Sequence, residues 1–388
     1  MMRPLRNFQQ LAVAPRVTAC CALIICLIVL LTASTDADAS TARRPLLPVP
    51  SSTDVDRGVF ANPGKSVPAS RWDGHRRRLA NAARMIPSGA YGKLFDAGGG
   101  TMVRISMSSS YSTGPDDDAA LQTWADLAGS MLHGSELSRL KVYMAPSDEV
   151  QSSRFCGRDA LGCYFPSSEE MIVSDHGESG GPSPQAIFAH EYGHHIARNR
   201  SNYPWSASDW GPKRWATRLH ICQGVRAGRF FPNDEGSNYD LNPSEGWSEA
   251  YRVANGYETS SWDIVANIFR PNKQSTAAIR ADVSSPFRRA TVAWRTVSFT
   301  PRLRQRELGF SLPLDGRVTV HAKGRGIDPD LSLLGITRVR RVIARSSRYG
   351  MRDALSNDAC GYDSIRVRVR SKTARSGSVT LSVSRPVG

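Results

Sequence analysis

The chain has 388 residues, 40% of them hydrophobic with eight tryptophans, and carries 50 Lys+Arg against 35 Asp+Glu for a formal net charge of +15. Such a length holds two domains of ordinary size plus terminal segments, and the apolar content excludes a globally disordered chain. Residues 271–388 hold 23 Lys+Arg against 8 Asp+Glu, a surplus equal to that of the whole chain, so the first 270 residues are neutral overall.

Arg3, Arg6 and Arg16 precede an apolar run at 17–33, and Ala37-Asp38-Ala39 follows as a small-residue cleavage pattern. Residues 1–39 therefore read as a secretory signal peptide, or, because the run is close to the lower limit for a spanning helix, as a retained membrane anchor. Either reading puts the remainder outside the cytoplasm, secreted or extracytoplasmic, where cysteines oxidise. Cys20, Cys21 and Cys26 fall in the leader, which leaves Cys156, Cys163, Cys222 and Cys360. Cys156 and Cys163 enclose a short loop and are expected to pair, so that Cys222 pairs with Cys360. Residues 40–70 are rich in Pro, Ser, Thr and Asp without periodicity and read as a linker or pro-segment.

Residues 71–285 form the next unit. A helix is expected around 76–85, a strand at 101–107, a helix at 116–132 carrying Leu121, Trp124, Leu127 and Leu132, and a strand at 140–144. Apolar runs at 162–166 and 171–174, separated by a polar turn, make a hairpin. Ser183 then caps a helix with Pro184 as its first residue. This helix contains His190-Glu191-x-x-His194 and no other charged side chain from 184 to 196.

Two histidines four apart lie on one helix face and can hold one Zn²⁺, with Glu191 beside it to take a proton from a bound water. His195 points off that face and reads as a packed residue. Between His194 and Glu245 lie Tyr203, Trp205, Trp210, Trp215, Phe230, Phe231 and Tyr239, an aromatic density that reads as core. A helix is expected at 214–226, with His220 a remote alternative ligand. A zinc site needs a third protein ligand. Asn242 and Pro243 start another helix in which Glu245 and Glu249 share a face, so one carboxylate can ligate while the other orients a ligating imidazole.

His190-Glu191-x-x-His194 followed by Glu245-Gly246-x-Ser248-Glu249 resembles the gluzincin branch of the zinc metallopeptidases, and 162–196 is similar to bacterial neutral zinc metallopeptidases. The resemblance implies an α+β zincin-like catalytic domain, a small mixed sheet with active-site helices. It implies His190, His194 and Glu245 as ligands, Glu191 as general base, Glu249 as support to His190, and a peptide or protein substrate. Strand 171–174 is then where an edge strand would lie along the cleft. Tyr239, Tyr251 and Tyr257 are candidate donors to the oxyanion. A third histidine six residues beyond His194, as in metzincins, is excluded because position 200 is Arg.

From 289 to 388 the apolar period becomes two, at 292–294, 309–312, 317–320, 331–334, 365–370 and 378–383, which means an antiparallel β-sandwich. Asp328-Pro329-Asp330-Leu331-Ser332-Leu333 and Gly377-Ser378-Val379-Thr380-Leu381-Ser382-Val383 resemble the pre-peptidase C-terminal domain of secreted bacterial proteases. Asp328 and Asp330 could contribute to a Ca²⁺ site. The concentrated positive charge suggests an anionic cell-envelope polymer as partner, and nucleic acid is not expected for an exported chain. The alternative to an exported peptidase is a non-catalytic envelope-binding protein whose basic sandwich is the functional part.

Overall fold

The computed structural model describes residues 46, 86–87, 90–111, 114–158, 160–176, 181–257 and 265–388; the leader, nearly all of the 40–70 segment and the helix expected at 76–85 lie outside them. Strands β1 (Tyr91–Asp96), β2 (Met102–Met107), β3 (Lys141–Met144), β4 (Gly162–Phe165) and β5 (Glu170–Val173) form one mixed sheet in the order β1-β2-β3-β5-β4. The inner strands β2, β3 and β5 are parallel, and both edge strands run antiparallel to their neighbours. A parallel pair needs a long crossover, and helix α1 (Asp117–Ser130) supplies it between β2 and β3. Its Leu121, Trp124 and Leu127 are buried, and Trp124 stacks on Phe188 with ring centroids 5.5 Å apart.

The hairpin forms, but its edge is the other strand. Met171, Ile172 and Val173 have no exposure because β5 is sandwiched between β3 and β4, whereas Gly162 and Cys163 of β4 are half-buried at the rim. Continuous burial is the mark of an inner parallel strand, and it places β4, not 171–174, at the edge of this sheet.

Helices α2 (Pro184–Arg198), α3 (Lys213–Arg218), α4 (Ile221–Arg226), α5 (Pro243–Ala254) and α6 (Lys273–Ser284) complete this half. The single helix expected at 214–226 is two: His220 takes a left-handed conformation (φ 55°) and breaks the ladder between α3 and α4. Of the aromatic stretch, Trp215 and Phe230 enter the core beside Trp247 and Phe269, while Trp205 and Trp210 stack on each other at 5.1 Å.

The C-terminal part, from Thr291 onward, is an antiparallel sandwich. Strands β6 (Thr291–Phe299), β7 (Gln305–Ser311), β8 (Gly316–Arg325), β9 (Pro329–Ile336), β10 (Arg340–Ser346), β11 (Arg352–Ala359), β12 (Ser364–Ser371) and β13 (Gly377–Arg385) make two sheets ordered β10-β9-β12-β7 and β11-β8-β13-β6. Strict alternation sends Ile365, Val367 and Val369 of β12, and Val379, Leu381 and Val383 of β13, into one shared core. Arg366 and Arg370 face water. Strands β10 and β11 were not expected, because arginines, Asn357 and Asp358 interrupt their apolar pattern.

Both disulfides are formed. Cys156–Cys163 closes the loop entering β4, and Cys222–Cys360, with Cα atoms 5.7 Å apart, fastens α4 to the end of β11. Around the second bridge Arg226 donates to the Asp358 carbonyl at 2.5 Å, and the Asp315 amide donates to Thr217 Oγ1 at 3.1 Å. Among the described residues no helix is long and apolar enough to cross a membrane.

Candidate metal centre

Helix α2 starts where its sequence says it should. The Ser183 hydroxyl accepts from the Ala186 amide at 3.2 Å, and Pro184 occupies the first helical position, where a missing N–H costs nothing. Helix α5 begins the same way, with Asn242 Oδ1 accepting from the Ser244 amide at 3.1 Å. The two helices pack closely because Gly193 lies against Ser248: a Cβ at 193 would stand 2.9 Å from Ser248 Cα. Trp247 Nε1 donates to the Gly193 carbonyl at 2.9 Å and fixes the register of one helix on the other.

This crossing brings His190, His194 and Glu245 together, the group among the described residues whose side-chain atoms could hold a metal ion. The two Nε2 atoms are 3.3 Å apart, with Glu245 oxygens 3.1 Å from His190 Nε2 and 3.5 Å from His194 Nε2. Tetrahedral coordination at about 2.0–2.1 Å requires ligand atoms roughly 3.3–3.4 Å apart, so these separations fit one such ion. The remaining ring nitrogens are already engaged, which leaves both Nε2 atoms facing the common centre. His190 Nδ1 meets Glu249 Oε1 at 2.6 Å, and His194 Nδ1 meets Ser244 Oγ at 3.2 Å.

Glu249 is held in turn by Arg252, whose guanidinium gives it a 2.6 Å contact and also donates to the Tyr257 carbonyl. Both side chains are about 1–2% exposed, so the pair is a buried ion pair backing an imidazole. Burial would raise the Glu249 carboxyl, but His190 and Arg252 hold it below its ordinary range. Burial likewise opposes charge on His190, yet Glu245 and Glu249 together draw its pKa well above the usual value in the protein alone. Carboxylates on both sides of an imidazole are what a dication would otherwise satisfy.

Glu191 is buried beside this cluster and accepts a hydrogen bond from none of the described residues. Burial pushes its carboxyl up, the two histidines pull it back, and Glu245 and Glu249 push it further up. Gly162 at the start of β4 abuts it: a Cβ there would lie 3.0 Å from Glu191 Cγ and 3.1 Å from Ile187 Cγ2.

The three tyrosines separate cleanly. Tyr239 donates to Glu245 Oε2 at 2.7 Å, and burial with the Glu245 charge keeps its phenol protonated well above the ordinary pKa. Tyr251 is fully buried and donates to the Leu132 carbonyl, and Tyr257 packs against the core with Ser130, so neither hydroxyl reaches the cluster. His195 is fully buried between the Tyr164 hydroxyl and the Glu136 carbonyl, and burial lowers its pKa. Arg200 forms a doubly hydrogen-bonded pair with Glu136 at 2.8 and 2.9 Å. His220 lies outside the cluster. Asp330 and Asp328 of the sandwich face the Lys372 ammonium at 3.0 and 3.8 Å.

Sequence reasoning did not find Ser244, Arg252 or Gly162. Arg252 had a signal, since it follows Glu249 by three residues on a helix. Gly162 had none, because its contact with Glu191 depends on how β4 meets α2.

No family model and no curated protein matches the chain. Among solved structures, 26% of the chain is similar to 89% of the Yersinia pseudotuberculosis-derived mitogen, with TM-score 0.22 and 11% identity. A further likeness covers 24% of this chain and 87% of the pre-peptidase C-terminal domain of collagenase from Bacillus anthracis, with TM-score 0.22 and 14% identity.

Proposed function

We propose that the chain is an exported zinc-dependent endopeptidase of gluzincin type, with a zincin-like catalytic domain in residues 71–285 and the sandwich behind it. The observation that carries this reading is the convergence of His190, His194 and Glu245 at ligand-like separations with the Glu191 carboxylate beside them. His190, His194 and Glu245 would hold Zn²⁺, which supplies a Lewis acid for the scissile carbonyl and for water. A softer or larger ion suits a buried His₂Glu set less well.

Glu191 takes the proton of the attacking water and delivers it to the leaving amine. A carboxyl raised by burial is poised for both halves of that transfer. Tyr239 remains a donor at neutral pH and, once Glu245 is engaged, can turn its O–H toward the carbonyl oxygen as charge develops there. Glu249 and Arg252 keep the His190 ring in one orientation, so that no reorganisation is needed during turnover. Strand β4 ends the sheet among the described residues, where an extended peptide would pair with it, and Gly162 brings that edge within contact of Glu191.

Two formed disulfides support an extracytoplasmic location. A fluorogenic peptide mixture tests the reading. Cleavage should disappear with a chelator and return with added Zn²⁺, and a preparation that cleaves equally in chelator is not this enzyme.

A further inference from the structure

The outer face of the β11-β8-β13-β6 sheet has a composition that packing does not explain. Register places Val292-Ser384-Thr319-Ser356 in one row across the four strands, Trp294-Ser382-His321-Ala354 in the next, and Thr296-Thr380-Lys323-Arg352 in the third. Their neighbours along each strand, such as Val320, Ala322, Leu381 and Val383, point inward to the core. Six of these twelve outward side chains are small hydroxyls, with Trp294 on the edge strand β6 and Lys323 and Arg352 beside them. Trp294 is 65% exposed. A groove of about 660 Å³ runs from Trp294 over Thr380 and Ser382 to Lys323, Arg348 and Arg352.

Each component favours one ligand chemistry. An indole left in water loses the burial that would normally hold it, and the C–H face of a pyranose ring is an apolar surface that stacks on such a ring. Serine and threonine hydroxyls can both donate to and accept from sugar hydroxyls. Lys323, Arg348 and Arg352 pair with no carboxylate of the described residues, so their charge is available to an anion. The strong positive excess of residues 271–388 adds long-range attraction for a polyanion. A lipid surface is a poorer match, because Trp294 and Val292 lie on the edge strand β6 and the other outward positions of the three rows are hydroxyl, charged, imidazole or alanine side chains, which give little apolar area to bury in a membrane.

We propose that this face binds an acidic polysaccharide, with Trp294 stacking on a sugar ring and Lys323 and Arg352 contacting its carboxylates. The proposal does not depend on the peptidase reading, since the metal centre lies in the other half of the chain. Affinity electrophoresis of the full-length chain in gels containing polygalacturonate tests it, with dextran, poly-glutamate and anionic phospholipid vesicles as parallel probes. Polygalacturonate should retard the protein, Trp294→Ala should weaken retardation about tenfold, and Lys323→Gln with Arg352→Gln should weaken it and flatten its salt dependence. All three positions are on the surface, so unchanged thermal unfolding shows that the fold survives. The proposal is overturned if Trp294→Ala is retarded like the wild type, if poly-glutamate binds equally well, or if vesicles capture the protein through Trp294 while polygalacturonate does not.

Discussion

Replacing Gly193 by alanine tests how tightly the two helices carrying the proposed zinc ligands must approach. The added methyl would stand 2.9 Å from Ser248 Cα and 3.2 Å from its Cβ and Oγ, against about 3.5–4.0 Å for carbon atoms in contact. The nearest atom is backbone, so relief requires α2 and α5 to separate by roughly 0.6–1 Å rather than a side chain to rotate. Two effects oppose each other. Alanine favours a helix interior by about 1 kcal/mol over glycine, while overpacking of this kind costs about 1–3 kcal/mol. A backbone clash belongs at the upper end, so the net loss should be about 1–2 kcal/mol, or roughly 2–8 °C in Tm. Glu245 lies three residues before Ser248, so the same displacement pulls it from His190 and His194, now 3.1 and 3.5 Å away. Zinc affinity, read by competition with a chromophoric chelator, should fall at least about tenfold. Unchanged Tm together with unchanged zinc affinity would refute the claim that this crossing sets the site.

Three other outcomes follow from named contacts. Substituting serine for both Cys222 and Cys360 opens a link of sequence separation 138, which chain entropy values at up to about 5 kcal/mol; the double variant should unfold at markedly lower temperature while keeping its zinc. Burial works to raise the Glu136 carboxyl, but Arg200 holds it below its ordinary pKa of 4.5; its contribution is present above that pH and is lost as the pH falls through the lower folded value. Glu136→Gln should therefore flatten the acid limb of the stability profile below about pH 4.5, and an unaltered limb would contradict the pairing. Tyr239→Phe should lower kcat by about 10²–10³ with zinc content unchanged, whereas Tyr251→Phe, whose hydroxyl donates to Leu132, should affect stability instead.

What the chain disclosed by itself was local. Ser183-Pro184 and Asn242-Pro243 start their helices, His190 and His194 share a face at a spacing of four, and alternation in 365–370 turns Ile365, Val367 and Val369 inward. These are consequences of neighbouring residues. The features that were missed depend on distant ones. Which strand of the hairpin lies at the edge is decided by β3 pairing with β5, a contact spanning about thirty residues. The break at His220 arises in a backbone conformation that a non-glycine residue does not announce. Choosing Tyr239 among three tyrosines required knowing that α5 presents Tyr251 to Leu132 and Glu245 to the histidines.

Glu191→Gln separates metal holding from chemistry, because the side chain keeps its shape and is not among the ligand atoms. Zinc content and peptide cleavage should be measured on the same preparations of wild type and variant. One zinc per chain is expected in both, with cleavage in the wild type alone. Absence of zinc from the wild type, or equal cleavage by the variant, would contradict the proposed mechanism.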